Sequence, residues 1–240
     1  MAGIGGFTEG SRRKTAATRV ARVHWPRRWG GVVLVGVLAF AAFAAIGEDV
    51  LHHETSAVDA RVRGWILAHR APAAHGLFAS ITTIGSVTPM IVYAVIASAF
   101  LWRRERRIVA TTVLFAPVAA VVAYLGLKGL FARVRPSNAG NLIEGTYAFP
   151  SAHATTSAAI CCTLAYVFWR EGLLRGRPAV IVAIGIPLLV GVSRLYLDAH
   201  WATDILGGWS AGVCIAAVSA ALYNSTGRRG AHPDPIEETT

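Results

Sequence analysis

Six apolar stretches, residues 29–47, 84–102, 108–128, 152–169, 179–193 and 203–223, divide the chain, and nearly all of its formal charges fall in the gaps between them. A stretch such as 29–47 reaches about 29 Å as a helix, enough to cross the hydrocarbon core of a bilayer. Composition agrees: 54% of the residues are hydrophobic and 15% charged, whereas soluble domains carry about 25% charged residues. The chain is therefore expected to be all-α, an integral-membrane bundle of six transmembrane helices. The first stretch resembles a signal-peptide core in part. Its length and the lack of a clean cleavage site make it the first span instead.

The gaps carry the orientation. Residues 1–28 hold Arg12, Arg13, Lys14, Arg19, Arg22, Arg27 and Arg28 and read as a basic cytoplasmic tail, followed by a membrane domain over 29–223 and a polar cytoplasmic tail over 224–240. Within 48–75 hydrophobicity breaks. Ser56 followed by Asp59 has the spacing of a helix cap, and Val58, Val62, Trp65 and Ile66 recur at helical spacing. An amphipathic helix in the extracytoplasmic interface fits this pattern, as does a loop helix packed on the bundle. With six spans both termini share one side, where 16 of the 23 Lys and Arg residues then lie. This is the asymmetry expected of a cytoplasmic face. The formal charge of +10 thus reads as membrane orientation, with no nucleic-acid partner. Cys161, Cys162 and Cys214 sit inside apolar runs without metal-ligand spacing and are expected to be small core residues.

Three polar clusters interrupt the apolar pattern at span ends, all on the extracytoplasmic side. Lys128 closes one span, with Arg135-Pro136 just beyond; an ammonium and a planar guanidinium suit a phosphate dianion, and snorkelling interfacial cations would look the same. Lys128 and Lys14 are the only lysines among 23 basic residues, which hints that an ammonium is wanted at 128. Pro150-Ser151-Ala152-His153 opens the fourth span, where unpaired amides and the helix dipole favour an anion; an ordinary Ser cap with an interfacial His is the plain alternative. Ser193-Arg194 precedes His200 and Asp204, which at i, i+4 share a face if this stretch is helical. There a carboxylate can accept the Nδ1 proton and leave Nε2 as a lone-pair nucleophile; a zinc pair or a structural pair remains open, although no second histidine stands at ligand spacing. By chance the third pattern arises in about one chain of this length per thousand.

Taken together the clusters resemble the type 2 phosphatidic acid phosphatase superfamily. The family's Lys, six residues, Arg-Pro is matched by Lys128, Arg135 and Pro136; its Pro-Ser-Gly-His by Pro150, Ser151 and His153; and its Ser-Arg, five residues, His, three residues, Asp by Ser193, Arg194, His200 and Asp204. The departure is Ala152 in place of Gly: it keeps the backbone amide but adds a methyl and resists positive φ. The resemblance implies a metal-independent, cofactor-free lipid phosphate or pyrophosphate phosphatase at the extracytoplasmic face of the cell membrane. In it His200 is the nucleophile, Asp204 orients it, and His153 is the acid and base. Lys128, Arg135, Ser151, the Ala152 amide and Arg194 hold the phosphate. Undecaprenyl pyrophosphate, phosphatidic acid and phosphatidylglycerol phosphate all fit as substrates in the bilayer. Residues 137–149, with Asn138, Asn141, Glu144, Tyr147 and Phe149, are placed to shape an entrance or simply to connect. A non-catalytic lipid-phosphate binder or transporter would require the loss of His200, His153 or Asp204, and a vanadium haloperoxidase is disfavoured by the spans.

Overall fold

The structure, a computed structural model, describes residues 27–136 and 147–226. The basic segment before Arg27, residues 137–146 with Asn138, Asn141 and Glu144, and the tail after Thr226 lie outside the described residues. The helices are α1 (Arg27–Leu51), α2 (Ser56–His69), α3 (His75–Ile84), α4 (Val87–Arg103), α5 (Arg107–Phe131), α6 (Ala152–Arg170), α7 (Arg177–Val180), α8 (Ile186–Tyr196) and α9 (Ala202–Thr226). A π turn, Ile181–Gly185, joins α7 to α8 into one span-length rod. Among the described residues there is no strand, only an antiparallel bridge between Val134 and Tyr147.

Among the described residues four helical segments are long and apolar enough to cross a membrane: Trp29–Leu51, Arg107–Phe131, Arg177–Tyr196 and Ala202–Thr226; α3 and α4, bent by 47° between them, make a fifth if counted as one span. Their outer sides stay apolar. On α1, Val33, Leu34, Val37, Leu38 and Phe40 are all more than half exposed. A soluble monomer rarely leaves so continuous an apolar surface open to water, whereas lipid covers it without penalty. The remaining long helix, α6, falls below the other spans in hydropathy because it is the central one. Thr155, Thr156, Ser157 and Thr163 are buried against neighbouring helices rather than turned to lipid. A helix surrounded by protein needs small, packable sides more than oily ones.

The closest helix pair, α6 and α9, is set by small residues. A Cβ on Gly212 would lie 2.6 Å from the Thr155 carbonyl oxygen and 2.6 Å from Ala158 Cβ; one on Gly208 would meet Ala154 Cβ at 2.8 Å and the Ser151 carbonyl at 3.0 Å. Glycine facing alanine at four-residue spacing lets two backbones approach closely. That contact fixes the start of α6 beside the start of α9. The far end of the bundle is tied by a second polar set, Arg106 to Glu171 and Tyr223 to Glu171, with Asn224 accepting from Tyr166 and Arg170. Asn224, being buried, also carries α9 past residue 223 to Thr226.

Helix α2 forms where its spacing predicts, but its details differ. Ser56 Oγ donates to the His53 carbonyl, no side chain caps the helix, and the Asp59 carboxylate reaches another helix altogether. Its inner face is polar, with Asp59 buried, while Val58 and Trp65 are exposed. The cap reading fails because a buried partner outcompetes the local amides for Asp59.

The turn from α8 into α9 is a Schellman motif: the Asp198 amide donates to the Leu195 carbonyl, the Ala199 amide to that of Arg194, and Asp198 takes φ +57°. Glycine is the usual occupant. Aspartate serves here because its carboxylate receives Arg63 of α2 in a fork, Nε to Oδ1 at 2.7 Å and Nη2 to Oδ2 at 2.9 Å. The same hydrogen bond raises the Arg63 pKa above its ordinary value. Asp198→Gly is expected to keep the turn but lose the tether to the part-exposed Arg63, at about 1.5–3 kcal/mol. Asp198→Ala is expected to lose about 1 kcal/mol more, since alanine resists positive φ. Melting temperatures of the two variants in detergent check that order.

Candidate active site

Each polar cluster is delivered to one end of the bundle by a local stop or start signal. Helix α5 ends as Ala132 enters the left-handed region at φ +44°, its amide closing on the Lys128 carbonyl at 3.0 Å. The chain then runs extended through Arg133–Pro136 and is clasped to its own return: Val134 bridges Tyr147, and the Ala148 amide donates to the Arg133 carbonyl at 2.7 Å. This clasp ties the segment that carries Arg135 to the one that leads into α6. Phe149 does not line an entrance. It is fully buried, stacked on Phe43, against Phe131, and seated where Gly207 has no side chain.

His200 lies at the centre. Its Nδ1 is 3.2 Å from Asp204 Oδ2, and its Nε2 is 3.2 Å from Arg135 Nη1, which also donates to the Ala199 carbonyl at 3.1 Å. A guanidinium can only donate. Nε2 must therefore accept, so the proton of the neutral imidazole is on Nδ1, facing the carboxylate. Asp204 is the third residue of α9 and accepts the Trp201 amide at 2.9 Å, the reach-back of a capping box. One carboxylate thus starts the helix and orients the imidazole.

Ser151 precedes α6, and its amide donates to the Asp204 carbonyl at 3.1 Å, joining the second cluster to the third. The Ser151 hydroxyl makes no cap. It is wholly buried and without a hydrogen-bond partner among the described residues. An orphaned buried hydroxyl costs about 1–3 kcal/mol unless a ligand satisfies it. Ala152 and His153, both buried, form the first turn of α6. Ala152 does not take positive φ, so the methyl that replaces glycine's hydrogen is accommodated as ordinary helix. Arg194, in the last turn of α8, is 1% exposed and donates from Nη1 to Thr82 Oγ1 on α3 at 3.0 Å. Lys128 is half-buried in the last turn of α5, with Nζ 5.9 Å from the centre of the Tyr124 ring. The contacts thus link Arg135, His200, Asp204 and Ser151 directly, while Arg194 joins through the Ala199 amide that its carbonyl accepts. His153, Ala152 and Lys128 enter by their places on α6 and α5.

Three participants escape sequence reading. Arg133 bonds Asp204 Oδ1 at 2.7 Å, Asp59 holds both the amide and the hydroxyl of Thr203, and Arg63 grips Asp198. The available signal was an Arg two places before Arg135 together with Asp59 and Arg63 on α2, which by themselves look like surface charge.

A helical membrane-type bundle with a histidine–aspartate pair, an arginine and an orphan hydroxyl at one helix-rich end is the class of protein that this geometry defines. Residues 109–228, half of the chain, match the model of the PAP2 superfamily. The chain belongs to that superfamily. It is 37% identical over 92 residues to phosphatidylglycerophosphatase B of Bacillus subtilis (37% of this chain, 45% of that protein). It is 29% identical over 143 residues to an undecaprenyl-diphosphatase of Sulfolobus acidocaldarius (55% of this chain, 63% of that protein). The matched regions span less than two thirds of either relative. The fold aligns with the crystal structure of a transmembrane PAP2 type phosphatidylglycerolphosphate phosphatase from Bacillus subtilis at TM-score 0.69 and 24% identity, over 80% of this chain and 96% of that one. With its apolar spans, this likeness makes the chain a multi-pass membrane protein of the same fold.

Proposed function

We propose that the chain is a metal-independent phosphatase of a membrane lipid phosphate or pyrophosphate. The observation that carries this is the placing of the His200 imidazole, with Nδ1 3.2 Å from Asp204 Oδ2 and Nε2 3.2 Å from the Arg135 guanidinium, an arrangement that favours the Nδ1–H tautomer. Nε2 attacks phosphorus while the bond to the leaving oxygen breaks, giving a phosphohistidine. His153 protonates that oxygen and then takes a proton from the water that hydrolyses the intermediate. Arg135, Arg194, Lys128, the Ser151 hydroxyl and the Ala152 amide hold the equatorial oxygens as charge redistributes. Ser151 supports this role because its buried hydroxyl has no protein acceptor or donor to satisfy it.

Counting α6 and the bent α3–α4 pair, the bundle has six spans, with α2 lying in the interface and its apolar Val58 and Trp65 turned to lipid. The excess of Lys and Arg at the opposite end supports cytoplasmic termini and an extracytoplasmic site. Residues 1–28 and 224–240 are then cytoplasmic tails. Substrates are lipids whose phosphate sits at headgroup depth. The names of the relatives favour phosphatidylglycerol phosphate and undecaprenyl pyrophosphate over phosphatidic acid.

The test is inorganic phosphate release by detergent-purified protein supplied with each of these three lipids in EDTA. Release that persists in chelator and is inhibited by vanadate, which mimics five-coordinate phosphorus, is expected. Activity that vanishes in EDTA and returns with a divalent ion would contradict the mechanism. Asp204→Asn is expected to lower kcat by about 10³-fold with little change in KM, because the amide can present the wrong group to Nδ1. Steady-state kinetics on the lipid that responds would check that split.

A further inference from the structure

Arg133 belongs to none of the three clusters, yet it makes four polar side-chain contacts at this end of the bundle. Nη1 donates to Asp204 Oδ1 and to Thr203 Oγ1, both at 2.7 Å; Nη2 donates to Asp59 Oδ2 at 2.5 Å and to Thr55 Oγ1 at 3.2 Å. Both carboxylates are out of water, Asp59 1% and Asp204 0% exposed. Thr203 closes the ring, its hydroxyl donating to Asp59 Oδ2 at 2.7 Å and its amide to Oδ1 at 3.0 Å. One guanidinium therefore stands between two buried acids, one on α2 and the other on α9.

We infer that Arg133 is a positioning residue for the reaction, locking Asp204 against Asp59 of α2 and, through Asp204, fixing the orientation and tautomer of His200. The inference rests on the function proposed above. Its logic is geometric. Asp204 Oδ2 serves His200 and the Trp201 amide, so the carboxylate can swing away from the imidazole only if Oδ1 is loose. Arg133 pins Oδ1. It also places a positive charge between the two acids, which would otherwise repel each other in a dry site. A lysine would carry the charge but not the fork that reaches both carboxylates at once. Two of the fork's nitrogens are committed to four protein oxygens, which distinguishes Arg133 from a cation reserved for phosphate.

The experiment compares wild type, Arg133→Met, Arg133→Lys and, as a phosphate-ligand control, Arg135→Lys in the full-length protein. For each, kcat, KM, the vanadate inhibition constant and the melting temperature are measured with phosphatidylglycerol phosphate or the lipid found active. Arg133→Met is expected to lower kcat about 100-fold, with KM and vanadate inhibition within about threefold of wild type. Arg133→Lys is expected to recover part of that loss and to remain about tenfold below wild type. Arg135→Lys is expected to weaken vanadate. A kcat within about threefold of wild type for Arg133→Met would overturn the inference. So would a loss of vanadate affinity that matches the loss of kcat, since Arg133 would then be touching phosphate. If Arg133→Met does not fold, Arg133→Lys decides: wild-type kcat overturns the inference, and a tenfold loss with vanadate inhibition unmoved sustains it. A wild type that releases no phosphate would overturn the functional reading and this inference together.

Discussion

His200→Ala is expected to lower kcat by about 10⁴–10⁶-fold while the protein remains folded and still binds vanadate. Alanine removes the atom on which the covalent step depends. Arg135, Arg194 and the α6 terminus, the groups proposed to hold the anion, stay in place. Nε2 accepts from Arg135 at 3.2 Å, and no other described nucleophile occupies that position. The Asp204 carboxylate keeps its bonds to the Trp201 amide and to Arg133 in the variant, so the start of α9 does not depend on the imidazole. Stability should therefore change little while turnover collapses. Turnover near the wild-type level from a purified, folded His200→Ala protein would remove the nucleophile from the account.

The second large effect is structural. Gly212→Val is expected to destabilise the bundle by about 3 kcal/mol or more, at or beyond the upper end of ordinary overpacking. Even the first added carbon would stand 2.6 Å from the Thr155 carbonyl oxygen and 2.9 Å from the Ala159 amide nitrogen, both of them backbone. Flexible side chains could yield; helix backbone cannot. The two helices must separate, and with them Ser151 and His153 move away from His200 and Asp204. Loss of phosphatase activity together with a lower melting temperature is the expected pair of readouts. A valine variant with the wild-type melting temperature would mean that α6 and α9 are not held at this distance.

Much of this was legible in the sequence because the determinants are local. Hydropathy located α1, α5 and α9, and the four-residue spacing of His200 and Asp204 anticipated their meeting, although not through a shared helix face: His200 lies in the turn before α9, and Asp204 in its first turn reaches back to it. What stayed hidden depends on partners far away in the chain. Asp59 looks like a cap for α2, yet it serves Thr203, 144 residues later. Phe149 reads as part of an entrance or of a connector, but it is buried where Gly207 leaves room for its ring. Ser151 looks like an ordinary helix cap, and only the structure reveals that its hydroxyl caps nothing. Helix α6 could not be ranked by apolarity, since a helix enclosed by protein can carry Thr155, Thr156 and Thr163 at little cost.

The central claim is a covalent bond between phosphorus and His200, and the most direct measurement is to trap it. Purified protein would be mixed with lipid carrying a radiolabelled terminal phosphate, quenched in alkali within a single turnover, and mapped by peptide. The account predicts label that is stable in base, labile in acid, confined to the peptide containing His200 and absent from His200→Ala. Phosphate release with no labelled protein, or with label on another residue, would contradict it.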